Sequence, residues 1–202
     1  MENPNLFKMT RYALGLTAMI MAMLFIYRYP TNVFILAASG YLFIICGTDT
    51  LYSKIPNLVT LPLMLIGITY NIVISGLPGI VFSAAGLTVG LALLIVPFMM
   101  GGMGAGDVKA LAALGTLLGP GKIFQIFLYM GIIGGLLGLM FHLMSSDTRK
   151  ELRHYAAALK SVYLTKDYKS FKNPKIRKTY KFPYASAIAF GFFAFTFWGD
   201  IL

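Results

Sequence analysis

Seven apolar runs, each closed by a charge, a proline or a glycine-rich turn, divide the chain. The first extends from Tyr12 to Tyr27, follows Lys8 and Arg11, and is broken by Pro30. It is shorter than the roughly 20 residues a membrane-crossing helix needs and is extendable at either end. The second, Asn32 to Thr48, stops where a polar stretch, Asp49 to Lys54, begins, and Pro56 then opens a new helix. Proline suits a first helical turn because its missing N–H would lack a partner there anyway. The third run, Leu58 to Ser75, is closed by Gly76-Leu77-Pro78-Gly79, a turn signal. The fourth spans Ile80 to Met100. After a glycine-rich break comes a fifth, Val108 to Leu118, too short to cross unless the segment around Asp107 is helical as well; Gly119-Pro120-Gly121 ends it. Ile123 to Met144 is the sixth, and Phe182 to Trp198 the seventh.

This pattern predicts an all-α polytopic membrane bundle forming one domain over residues 1–202. Seven spans are expected, or six if the fifth run is re-entrant or the first pair merges. Composition agrees: 58% of the residues are hydrophobic and 12% charged, against about 25% charged in soluble domains. No large soluble domain fits in the remaining length. The first run leads into Arg28-Tyr29-Pro30 instead of a small-residue cleavage site, so a cleaved signal is not expected.

The formal charge of +10 raises the question of nucleic acid, but eleven of the seventeen Lys and Arg lie between Arg149 and Lys181. Topology accounts for them, because basic loops stay cytoplasmic, and no nucleic-acid partner is expected. Placing the N-terminus inside puts the Asp49 to Lys54 loop, the Gly101 to Lys109 loop and the basic loop at about 145–181 on the cytoplasmic side. Only Arg28 and Lys122 are then left in the opposite loops. Within the basic loop, Leu152, Tyr155, Leu159 and Val162 recur at helical spacing, with Lys150, Arg153, His154 and Lys160 elsewhere around the helix. Such a helix fits an anionic lipid surface; a solvated linker is the equal alternative.

Glycine pairs at four-residue spacing, Gly86/Gly90, Gly115/Gly119, Gly131/Gly135 and Gly134/Gly138, predict close helix packing within the bundle. Gly101, Gly102, Gly104 and Gly106 cluster beside Asp107 and need another account. A flexible loop is one; space for an extended peptide beside the aspartate is the sharper one.

Chemistry concentrates on two carboxyls. Asp49 ends the second run and Asp107 begins the fifth, so both fall at the same boundary of the bilayer. A carboxyl there is costly unless paired or hydrated, and marks a functional site. The remaining acidic residues, Glu2, Asp147, Glu151, Asp167 and Asp200, lie in tails or the basic loop. Thr48, Thr50, Ser53, Lys54, Asn57 and Lys109 are candidates for a wet mouth, with Lys54 and Lys109 placed to tune the pair, to meet lipid phosphate, or simply to set topology. Cys46 is alone and reads as a packing residue, and His142 and His154 lack the spacing of metal ligands. No metal or cofactor is expected. Two carboxyls facing each other share one proton, so one can deprotonate water while the other donates to a carbonyl oxygen. Proton or cation transport, and a non-catalytic assembly role, are the rival uses of such a pair.

Gly104-Ala105-Gly106-Asp107-Val108-Lys109 resembles the GxGD motif of the prepilin peptidases, membrane aspartic endopeptidases also similar to archaeal preflagellin peptidases. Asp49 followed by Ile55-Pro56-Asn57 resembles that family's first aspartate motif, and Phe182-Pro183-Tyr184-Ala185 its entry to the last span. The resemblance implies that Asp49 and Asp107 are catalytic, with Gly104, Gly106, Lys109, Pro56 and Asn57 supporting the site or the substrate. It implies a pilin-like precursor as substrate, cut on the cytoplasmic side between a short basic leader and a hydrophobic helix. Larger members carry paired CxxC motifs and methylate the new terminus. One cysteine and this length resemble instead the short members serving tight-adherence pili, without methylation.

Overall fold

The computed structural model describes residues 4–144 and 182–199. Over these residues the apolar runs become seven helices and no strand: α1 (Pro4–Arg28), α2 (Val33–Tyr52), α3 (Asn57–Ser75), α4 (Leu77–Met99), α5 (Ala105–Leu118), α6 (Pro120–Met144) and α7 (Tyr184–Trp198). The basic loop and its amphipathic segment lie outside the described residues. Five helices, α1 to α4 and α6, are long and apolar enough to cross a membrane. Their outer faces carry Leu58, Leu65, Val73, Val81, Ile132 and Leu136, all well exposed. Exposed aliphatic side chains on every long helix suit a lipid solvent, in which burying apolar surface gains little.

The helix ends depart from the expected breaks in several places. α1 begins at Pro4, well ahead of Tyr12, so Lys8 and Arg11 stand on the helix instead of before it. α2 continues through Asp49 to Tyr52. Ser53 closes it in the left-handed conformation, φ 54°, returning its N–H to the Asp49 carbonyl at 2.8 Å. A residue in that conformation is a common helix stop, and the turn it makes needs no earlier break. α4 starts at Leu77, so Pro78 and Gly79 lie in its first turn and only Gly76 separates it from α3.

α5 is the inner helix. At 14 residues and 1.5 Å per residue it is about 21 Å long, short of the roughly 30 Å hydrocarbon layer. From Asp107 to Leu118 every residue except Lys109 is buried, and α2, α3, α4, α6 and α7 all pack against it. Glycine makes the closest approaches possible. A Cβ on Gly86 would overlap the Gly115 carbonyl, and one on Gly90 would stand 2.7 Å from the Ala112 Cα. On the other side, a Cβ on Gly67 of α3 would stand 2.8 Å from the Leu117 N. The glycine pairs of α4 and α5 thus pack within the bundle, as their spacing suggests. Those of α6 do not share the role: Gly131, Gly135 and Gly138 border open space, and only Gly134 meets a neighbour, the Ala187 Cβ 3.3 Å from where its own would be. α6 offers one stripe to α7, and the other three glycines fall outside it.

A buried amide ties the far end of α5. Asn71 Nδ2 lies 3.0 Å from each of the Gly67 carbonyl, the Ser83 Oγ and the Thr116 carbonyl, joining α3, α4 and α5. Such bonds in a membrane interior average about 0.6 kcal/mol each. The other end of α5, beginning at Gly104, carries the chemistry.

Candidate active site

Asp49 occupies the last turn of α2 and is 8% exposed. Its neighbours come from α1. Gly15 packs directly on Thr50, where a Cβ would overlap the threonine hydroxyl. Arg11, one turn earlier on the same helix, donates to the Asp49 carbonyl through Nη2 and to the Ser53 Oγ through Nη1 at 2.5 Å. The same Nη2 stands 3.6 Å from Asp49 Oδ1.

Asp107 stands in the first turn of α5 and is likewise 8% exposed. The glycine motif is therefore partly helix: Gly104 is the N-cap, and Asp107 Oδ2 accepts the Gly104 N–H at 3.0 Å. This bond satisfies a donor that a helix start leaves without a partner. Gly106 does not face open space. A Cβ there would stand 3.2 Å from the Ile55 Cβ and 3.6 Å from its backbone N and O. The room expected beside Gly106 is taken by the chain itself, because the α2–α3 connection lies across the start of α5.

Further contacts draw the three motifs together. Lys109 Nζ donates to Asn57 Oδ1 at 3.3 Å, linking α5 to the first residue of α3, for which Pro56 is the extended N-cap. From the start of α7, the Tyr184 hydroxyl donates to the Gly102 carbonyl at 2.5 Å, while its ring meets Phe182 edge-on at 4.8 Å. One turn before Asp49, the Cys46 thiol reaches the Ala185 carbonyl at 3.5 Å. The first turn of α7 is thus a shared neighbour of both aspartate-bearing segments. Among the described residues, Asp49 and Asp107 are the only acidic side chains. No group of three or more His, Cys, Asp and Glu comes together among those residues.

The family model for the type IV leader peptidase family matches residues 36–139, about half of the chain. The chain belongs to the type IV leader peptidase family. The match contains both aspartates, Pro56, Asn57 and the whole glycine motif, and it leaves out α1 and α7. Membership makes the protein a protease, and its five long apolar helices make it a multi-pass membrane protein. Comparisons with curated proteins and with solved structures find no match.

The sequence reading placed Arg11 ahead of the first apolar run and gave it no place in the site. Its role became visible only with the helix: α1 begins at Pro4, so Lys8 and Arg11 both lie in its first turns, and Arg11 reaches α2.

Proposed function

We propose that this leader peptidase is an aspartic endopeptidase in which Asp49 and Asp107 act on one water molecule. The observation that carries the reading is the interlock of their two segments. Gly106, next to Asp107, rests on Ile55, six residues after Asp49, while Lys109 reaches Asn57. The only two carboxyls of the described residues therefore lie at one end of the bundle, each mostly buried.

Two carboxyls acting on one water place like charges at short range. Double ionisation is unfavourable, so the pair holds one proton between them. The ionised carboxyl takes a proton from water as the oxygen attacks the scissile carbonyl carbon, and the protonated one donates to the carbonyl oxygen. In the second half the protonated carboxyl donates to the leaving nitrogen as the C–N bond breaks, and the ionised one takes a proton from a gem-diol hydroxyl as the carbonyl re-forms, so the pair again holds one proton. Nothing in this cycle calls for a cofactor.

The substrate proposed is a pilin-like precursor. Its hydrophobic helix sits in the bilayer and its short leader emerges at the surface, so the bond between them arrives where the carboxyls are. Lys8, Arg11, Lys54 and Lys109 lie at the aspartate end and Arg28 and Lys122 at the other. The imbalance supports a cytoplasmic site. Gly104 caps the helix that presents Asp107, Gly106 admits Ile55, Pro56 turns the chain into α3, and Lys109 with Asn57 holds the two segments together.

Co-expression with pilin-like precursors, followed by mass analysis of their N-termini, tests the reading. A precursor shortened to the start of its hydrophobic helix, with an unmethylated new amine, is the expected product. Intact precursors, together with proton or cation flux in liposomes carrying the protein, would support a transporter instead.

A further inference from the structure

Arg11 lies outside the residues that match the family, on a helix the match does not include. A topogenic arginine near a helix end would extend its head toward the lipid surface. This one turns sideways onto α2, with 19% of its side chain exposed, and engages three acceptors there: the Asp49 carbonyl, the Ser53 Oγ and the Asp49 carboxylate. The first two belong to the C-terminus of α2, where the helix dipole favours a cation. A planar guanidinium can serve several acceptors at once, whereas an ammonium is a point charge.

We propose that Arg11 is a positioning residue for peptide hydrolysis, latching the last turn of α2 and balancing the charge of the carboxyl pair. The inference rests on the Asp49–Asp107 reading. Two carboxyls sharing one proton carry a single negative charge, and Arg11 supplies a single positive one beside it. In a site of low polarity an unbalanced charge is costly, and its removal leaves the partner buried without compensation. α1 thereby becomes part of the catalytic unit through one side chain.

The test uses the purified full chain in detergent and a peptide spanning a leader junction, with kcat and KM measured separately. Arg11→Gln is expected to lower kcat about tenfold or more while KM stays within about twofold, because the pair loses its balance but the substrate keeps its contacts. Arg11→Lys, which keeps the charge and loses the fork, is expected to fall between the wild type and Arg11→Gln in kcat. Wild-type kcat in Arg11→Gln, equal losses in the two variants, or a loss carried by KM alone would overturn the proposal. Thermal unfolding is followed alongside. Should Arg11→Gln not fold, Ser53→Ala is read in its place: it removes one arm of the latch, and a kcat lowered about threefold at unchanged KM supports the proposal, whereas wild-type kcat overturns it. Asp49→Asn separates the two levels. If it is inactive while Arg11→Gln is fully active, this inference alone fails; if it cleaves at the wild-type rate, the carboxyl pair itself fails.

Discussion

Asp49→Asn and Asp107→Asn are each expected to lower the rate of leader removal by about 10²- to 10⁴-fold or more. An amide of the same shape neither accepts a proton from water nor donates one as an acid, and the remaining carboxyl cannot do both jobs. The effects do not add, because the two groups act as a unit, so the double variant is expected to be no slower than either single one. Folding survives. Asp107→Asn keeps a side-chain oxygen able to accept the Gly104 N–H, and the Asp49 carbonyl, which receives the Ser53 N–H and Arg11, is unchanged by Asp49→Asn. Peptide cleavage by the purified variants, with unfolding followed in the same detergent, measures both halves. A rate near wild type in either single variant contradicts the assignment.

Gly106→Val has the next largest expected effect, and its cause differs from the one the glycine motif suggests. The side chain would enter space occupied by Ile55, whose Cβ is already 3.2 Å from where a first carbon would stand. Valine adds two methyls beyond that carbon, so the start of α5 or the α2–α3 connection must move. A displacement of about 1 Å at a catalytic group can cost about 10²-fold, and cleavage is expected to fall to that degree. The partner gives a direct check. Ile55→Gly removes the nearest obstructing atom, the Ile55 Cβ, so Gly106→Val with Ile55→Gly is expected to recover at least about tenfold over Gly106→Val alone, the non-additivity of residues in contact. If Gly106 served only to admit the peptide, shortening Ile55 would restore nothing. Absence of recovery, with both single variants folded, contradicts the packing account.

Much of this architecture was legible in the chain because lipid simplifies the pattern. Long apolar runs punctuated by Pro30, Gly76 and Pro120 can only be helices when every backbone group must bond internally. Close packing by Gly86 and Gly90 within the bundle was likewise visible from their four-residue spacing, but not that α5 is the partner. Helix ends were less legible. Thr48 and Thr50 look like a break after an apolar run, yet α2 continues through them; the Thr48 hydroxyl bonds back to the Ile45 carbonyl at 3.1 Å, and Gly15 of α1 packs over Thr50. Both aspartates stood out because nothing else acidic shares the apolar region. Their partners did not. Arg11 is 38 positions from Asp49 and Ile55 is 51 from Gly106, and neither spacing carries a signal until the helices are packed. The fifth run had length as its only clue, and its place inside the bundle follows from neighbours that periodicity does not name.

Convergence of positions 49 and 107 can be measured without any activity. In a Cys46→Ala chain, which removes the native thiol, cysteines are placed at both positions in isolated membranes and treated with a bifunctional thiol reagent. Its spacer is about 6 Å, the reach of two hydrogen bonds through one water. The account predicts an intramolecular bridge between α2 and α5, detected as a single linked species by mass after proteolysis. Efficient labelling of each cysteine separately, with no bridged product, would contradict it.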